Sequence, residues 1–360
     1  MTPASSMSAV CAFTICEVNV FRRLSRGTRN RLFVGAAVAT VMTLAACGSS
    51  ATPGSEVSST GAETSSAAAS AKPYTVGIID FSAADTSSMS IVNTFIKAAE
   101  AAGNTVLQVD AAGDPGAAIS AIQNFITKKV DVIFTPVFGP DQLAAGLTAA
   151  KAAGIVVVGM VPTTGNGMPV TWDNSTLPGK LLGEQFIKDT GGTGRLLEIT
   201  YSPGLPCQAR LQGFKDALGT ASVQFDLGEL QVPDIIGSAE KITSAWLTKN
   251  PAGGSEKLYV YSCADSILPG ILTALKSANR TDVKVYTMDG DKAGVDSLKA
   301  GGAVAAEVYV AMGPAGTEIA AQMPGIIAAG VDQSAHQIDV TSVLITAATV
   351  DQFLTDHPTL

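Results

Sequence analysis

The sequence predicts an α/β fold of two lobes, each built on a parallel sheet, joined by a hinge of several strands. Three observations carry this. Short apolar, β-branched runs alternate with segments of helical spacing through most of the chain. The alternation occurs twice, with a join near 171–175. The chain then runs past the second unit into one more helix and strand, enough to cross back between the lobes.

The elements follow in order. Tyr74–Phe81 (YTVGIIDF) is a buried strand, and Thr86–Ala102 is a helix that stops at Gly103. Thr105–Asp110 is a strand. Pro115–Lys128 is a helix with Asp114 as N-cap and Pro115 in its first position. Val130–Pro136, the helix Asp141–Ala153 and the strand Ile155–Met160 complete the first unit. The second unit holds helix Leu177–Thr190, strand Leu196–Tyr201, helix Gln208–Leu218, strand Val223–Leu230 and helix Ile235–Lys249. Strand Leu258–Ser262, helix Ile267–Ala278, strand Val283–Met288, helix Lys292–Ala300 and strand Val304–Val310 follow. A helix in the segment after Met312, up to about Ala329, and a strand Gln337–Thr346 end the folded part.

The lobes are Rossmann-like. They are assigned to 74–172 plus about 311–336 for the first, and to 173–310 plus about 337–360 for the second. In open α/β sheets the ligand crevice lies beyond the carboxyl ends of the strands. The post-strand loops of the two lobes then face one another across a cleft, which a hinge can close.

The first 46 residues read as a leader. Arg22, Arg23, Arg26, Arg29 and Arg31 precede an apolar run from Leu32 to Ala46, too short for a membrane span but suited to a signal peptide. The stretch before Arg22, with Cys11, Cys16 and Glu17, fits no usual basic leader, and an internal start at Val20 would leave a conventional one. Leu44-Ala45-Ala46-Cys47 resembles a bacterial lipobox, which implies cleavage before Cys47 and lipidation of its thiol; an ordinary signal peptide with an incidental cysteine is the alternative. Residues 47–73 hold the lipidated cysteine and a Ser/Thr/Ala/Gly tract that cannot bury enough surface to order itself, hence a flexible tether.

Composition narrows the function. Lys+Arg 23 against Asp+Glu 31 gives a net charge of -8 over 360 residues. The leader takes five arginines and one glutamate, so the chain from Cys47 keeps 18 basic and 30 acidic residues, a net of -12. That argues against nucleic acid as a partner. His336 and His357 are the two histidines of the sequence, little to build a metal site or a histidine-based catalytic centre from. No G-x-S-x-G, H-E-x-x-H or P-loop pattern occurs, and Gly192-Thr193-Gly194 precedes a strand rather than a helix.

Six segments in order resemble one family: VGIIDF, VDVIFTPVFGPD, GIVVVGM, Trp172-Asp173-Asn174 with Gly179 and Gly183, Arg210-Leu211-Gln212-Gly213-Phe214, and VYTMDGD. They are similar to the ribose/galactose-type solute-binding proteins of ABC importers, with the type I periplasmic-binding-protein fold. The resemblance covers Tyr74 to about Phe353. It implies a lipoprotein anchored on the outer face of the bacterial cytoplasmic membrane. Such a protein captures a small polar solute, a sugar, polyol or related metabolite, and hands it to ABC permease and ATPase subunits. It implies no cofactor, no catalysis, contact with the membrane through the lipid alone, and a monomer. A ligand-sensing subunit for a membrane receptor is the alternative, and an exported enzyme is the third reading.

The resemblance also implies ligand contacts. Arg210 and Asp289 match family residues that bond sugar hydroxyls, and Asp85 falls at a polar position of the first loop. Ser87 and Ser88 stand where the family carries an aromatic pair, Val161 and Pro162 where it carries Asp-Arg, Ala264 for an Asn, and about Val310, beside Tyr309, for a late Gln. Phe138, Trp172 and Tyr309 are candidate aromatic surfaces, with Phe81; Asp173 and Asp265 are further polar candidates. Structural roles compete at each: a surface salt bridge for Arg210, a turn or N-cap for Asp289, N-caps for Asp85 and Asp265, a crossover role for Asp173, and hinge packing for Trp172. Cys207 and Cys263 lie near the starts of neighbouring helices in the second lobe. In an oxidising compartment they read either as a disulfide or as two separate buried thiols.

Overall fold

The computed structural model describes residues 72–358. The predicted leader, Cys47 and nearly all of the tether lie outside the described residues. Within them the chain forms two six-stranded sheets flanked by helices.

The first sheet has the order β11-β5-β4-β3-β1-β2, from β1 (Thr75–Asp80), β2 (Thr105–Asp110), β3 (Val132–Thr135), β4 (Val156–Gly159), β5 (Val170–Asp173) and β11 (His336–Asp339). Every pairing in it is parallel. β3 and β4 are buried at every residue because helices cover both faces, which is why VIFT and VVVG are unbroken apolar runs. β2 lies on the edge and alternates in exposure. Helices α1 (Thr86–Ala101), α2 (Pro115–Lys128) and α3 (Ala144–Ala152) connect these strands. Asp85 and Asp114 cap α1 and α2, accepting from Ser88 N at 3.4 Å and Gly116 N at 2.7 Å. α3 starts three residues later than its sequence pattern predicts and has no side-chain cap; Asp141 accepts from Asn166 Nδ2 at 2.8 Å.

The second sheet has the order β12-β10-β9-β8-β6-β7, from β6 (Thr193–Thr200), β7 (Ser222–Glu229), β8 (Leu258–Ser262), β9 (Lys284–Asp289), β10 (Val304–Val310) and β12 (Ser342–Thr346). It is parallel except for the β10–β12 pair. Its helices are α4 (Thr176–Thr190), α5 (Leu205–Leu218), α6 (Ile235–Lys249), α7 (Leu268–Ser277), α8 (Lys292–Lys299) and α10 (Val350–Asp356). A 3-10 turn, Asp265–Ile267, precedes α7. Phe186, Phe214, Tyr259, Tyr261 and Tyr286 form one aromatic cluster with centroids 4.9–6.2 Å apart.

The lobes are joined three times: β5 to α4, β10 to α9 (Met312–Ala329), and β11 to β12. The single strand expected over Gln337–Thr346 is two strands, one in each sheet, broken at the Val340–Thr341 link where the chain crosses. The boundary expected at about 336/337 therefore moves to that link, since β11 pairs with β5. The crossings are tied together: Val340 N donates to Asp173 O and Ala311 N to Thr341 O, both at 2.9 Å. α9 returns to the first lobe and packs on α1, where a Cβ on Gly316 would lie 2.3 Å from Ile91 O. α4 and α5 touch as closely: a Cβ on Gly179 would lie 2.1 Å from Arg210 O. That contact presses the backbone of Arg210 against the crossover.

Among the described residues no helix is long and apolar enough to cross a membrane.

Candidate functional site

A cavity lies between the lobes at the carboxyl ends of both sheets, where the topology places a ligand crevice. The first lobe supplies Phe81, the first turn of α1 with Asp85, Ser87 and Ser88, the β3 loop with Pro136 and Val137, and Met160 after β4. The second supplies Tyr201, the start of α5 through Arg210, the β7 loop with Leu230 and Val232, the segment Cys263–Ile267 apart from Asp265, and Asp289. Asn174 and Met312 stand at two of the crossings. The empty space, its opening to solvent included, is about 650 Å³, and Phe81 and Tyr201 approach one another across it. The cleft is therefore narrow.

The lobes meet around it. Thr86 and Ser87 hydroxyls donate to Asp291 Oδ2 at 3.3 and 3.5 Å, and Gln142 Nε2 donates to Pro203 O at 2.8 Å. Phe81 packs edge-on against Tyr201 with centroids 5.5 Å apart.

Arg210 organises the second lobe's wall. It is 3% exposed. Its Nη1 donates to Cys263 O at 2.7 Å, and Nε and Nη2 donate to Asn174 O at 3.3 and 3.1 Å. Nη2 also meets Asp289 Oδ1 at 2.7 Å, an ion pair without an aligned hydrogen bond. Burial opposes the guanidinium charge, but the adjacent Asp289 carboxylate outweighs it and holds Arg210 above its ordinary value. Asp289 adopts φ 123°, a conformation L-residues rarely take, at the strand end where its carboxylate reaches Arg210 and Asp265 N.

The acids around this pair are not equivalent. Burial, then the Asp289 charge, raises Asp85 above the usual carboxylate range, while Ser88 and Ser266 oppose the shift. Burial and the charges of Asp289 and Asp265 push Asp291 up to about 7. Glu307, wholly buried on β10, is raised well above its ordinary value by burial and by Asp265. Among the described residues no cluster of His, Cys, Asp and Glu is placed to hold a metal ion.

Of the residues picked out from sequence, Asp85, Ser87, Arg210 and Asp289 meet in this cavity, as do Cys207 and Cys263. The two cysteines are disulfide-bonded, with Cα atoms 5.3 Å apart.

The other five candidates do not line it. Phe138 is 1% exposed and packs behind Phe81, centroids 5.5 Å apart. Trp172 points into the core from β5. Asp173 Oδ1 accepts from Ser175 N at 2.8 Å and Thr176 N at 3.2 Å, and Oδ2 accepts from Gln337 Nε2 at 3.1 Å, so it fastens the crossover. Asp265 accepts from the Thr287 hydroxyl, Gly290 N and Asp291 N, and thereby holds the turn after β9. Tyr309 packs on Phe353 and His357, centroids 5.2 and 4.9 Å away.

Asn174, Met160, Val232, Ile235, Ile267 and Met312 line the cavity and were missed. Their one sequence signal is position, each in a segment that follows a strand or crossover; the five apolar ones read as core, and Asn174 reads as part of the Trp172-Asp173-Asn174 crossover.

The profile of the family described as periplasmic binding protein domain matches residues 78–325. A ribose import binding protein of Salmonella typhimurium is 23% identical over 230 residues, covering 62% of this chain and 76% of the relative. A D-apiose import binding protein of Actinobacillus succinogenes is 26% identical over 220 residues, covering 58% and 67%. The crystal structure of an ABC transporter solute binding protein from Agrobacterium vitis with bound allitol superposes with a TM-score of 0.71 at 22% identity, covering 79% of this chain and 99% of that one. With a two-lobed fold, a cleft at the strand ends and a family profile that spans most of the described chain, this protein belongs to the periplasmic binding protein domain family.

Proposed function

We propose that this chain captures a small solute bearing hydrogen-bond donors outside the cytoplasm and delivers it to an ABC importer, without transforming it. The observation that carries this is the narrow interlobe cavity, walled by the first turn of α1 on one side and the Arg210–Asp289 pair on the other, with three crossings as its hinge. Closure around a ligand and reopening at a partner are what such a hinge provides. The relatives that import ribose and apiose, and the solved protein that holds allitol, support a sugar, polyol or related metabolite as the cargo. Both histidines lie away from the cavity, His357 against Tyr309 and His336 at the start of β11. Asp85, Ser87, Arg210 and Asp289 are the proposed ligand-facing residues.

Anchoring through a lipid on Cys47, behind a cleaved leader, completes the proposal. Removing the thiol with Cys47→Ala is expected to release the chain from membranes.

A thermal-shift screen of the full chain over sugars, polyols and related metabolites tests capture. A ligand at 100 times its Kd stabilises by about 2.7 kcal/mol, a clear rise in Tm. No stabilisation by any solute, with unchanged uptake in a strain lacking the chain, would refute the proposal.

A further inference from the structure

The polar groups of the cavity are gathered into one cluster, and the rest of its wall is apolar. Asp85 Oδ1 accepts from Ser88 N at 3.4 Å, and Ser266 lines the cavity with it. Asp289 pairs with Arg210, and Arg210 bonds Asn174 O. The remaining surface is mostly Phe81, Met160, Leu230, Val232, Ile235 and Ile267.

Within the cluster most of the strong donors are already engaged. Arg210 donates from Nε and Nη2 to Asn174 O and from Nη1 to Cys263 O, and its Nη2 faces Asp289 Oδ1. The Asn174 amide faces Met312 Sδ at 3.7 Å. Ser87 Oγ donates to Asp291, and Ser88 Oγ donates to the Asp85 carbonyl. The polar cluster therefore offers chiefly the carboxylate acceptors of Asp85 and Asp289, which a donor-bearing ligand satisfies. The apolar lining offers no partner for a hydroxyl.

On the reading that this cavity captures a solute, we propose that its ligand is amphiphilic. A compact donor-bearing head, vicinal hydroxyls or an ammonium, faces Asp85 and Asp289, and an aliphatic body of a few carbons fills the space between Met160, Val232 and Ile267. Within the sugar, polyol and related-metabolite cargo, the apolar wall favours the deoxygenated member over the uniformly hydroxylated one. Each hydroxyl turned to the apolar wall loses its water partners and weakens binding about tenfold. Each methylene placed there strengthens it about fourfold.

The test is calorimetric titration of the full chain with six-carbon compounds matched in length: hexane-1,2-diol, hexylamine and a hexitol, with ribose alongside. The diol or the amine binds at least tenfold tighter than the hexitol, and whichever of the two is tighter identifies the head. In Val232→Thr, which keeps the shape and adds a hydroxyl to the wall, that preference shrinks by about threefold or more. Tighter binding of the hexitol or ribose overturns the amphiphile and leaves solute capture standing. So does an unchanged preference in a folded Val232→Thr chain. If none of the four binds while the broader solute screen finds a ligand, the amphiphile is again rejected and capture stands. If that screen is also empty, both fall.

Discussion

Arg210 Nη2 lies 2.7 Å from Asp289 Oδ1, and the two side chains are 3% and 1% exposed. An ion pair so buried gains its Coulomb energy in a low-dielectric setting but loses the hydration of both charges. Its net worth to folding is small, while its integrity matters greatly. Arg210→Ala strands the Asp289 carboxylate and the Asn174 and Cys263 carbonyls together. The expected loss is about 3–5 kcal/mol in denaturant unfolding. The double variant Arg210→Met/Asp289→Leu is expected to recover a large part of it, because no charge is left unpaired.

The turn that carries Asp289 also makes stability depend on pH. Asp291 titrates near 7 in the folded protein, against 3.8 for the free side chain. The native state thus holds this proton more tightly than the unfolded chain, so the unfolding free energy falls as pH rises from about 4 to 7. Asp85 acts in the same direction. Asp291→Asn keeps an acceptor for Thr86 and Ser87 and removes the titration. Its Tm is expected to exceed that of the unaltered chain at pH 8, to match it near pH 4, and to change less in between. An equal pH slope in the two proteins would refute the assignment.

The Cys207–Cys263 bridge closes a loop of 56 residues that includes β7, α6 and β8. Constraint of the unfolded chain by a loop of that size stabilises by about 2–4 kcal/mol. Cys207→Ala/Cys263→Ala is expected to lose that amount in chemical denaturation, and non-reducing peptide mapping of the unaltered chain to recover the two segments linked.

Gly179 bears on the cavity although it does not line it. A methyl there would lie 2.1 Å from Arg210 O, so α4 and α5 must separate to admit it. Gly179→Ala is expected to destabilise by about 1–3 kcal/mol through overpacking and to weaken ligand binding, by displacing Arg210. Gly103→Ala meets no neighbouring atom and serves as the contrast: its cost comes from φ +83° alone, and ligand affinity stays unchanged.

Much of the fold was legible because parallel strands buried on both faces must be apolar throughout, and capped helices announce their starts. VGIID, VIFT and VVVG, and the Asp85 and Asp114 caps, are of this kind. β5 was missed because four residues with Thr and Asp at alternate positions resemble a loop, and only its neighbours β4 and β11 make it a strand. The break at Val340–Thr341 was invisible for a related reason: both halves are extended, and only pairing assigns them to different sheets.

The same division runs through the site. The amino-acid order alone determined that Asp85 starts a helix after the first strand, that Arg210 sits in a helix after the sixth, and that Asp289 ends the ninth. As read from sequence, Arg210 follows the strand Leu196–Tyr201, the fifth of that reading, and Asp289 comes directly after the strand Val283–Met288; these are local facts of propensity and spacing, and the structure's count of six and nine includes β5. Tertiary structure decided that these three meet in one cavity while Phe138, Trp172, Asp173, Asp265 and Tyr309 stay outside it. It also decided that Arg210 spends its donors on the protein itself and that the rest of the wall is apolar. The physical reason is that a side chain just past a strand can turn toward the cleft or toward the core. Packing against the other lobe, distant in sequence, selects between them.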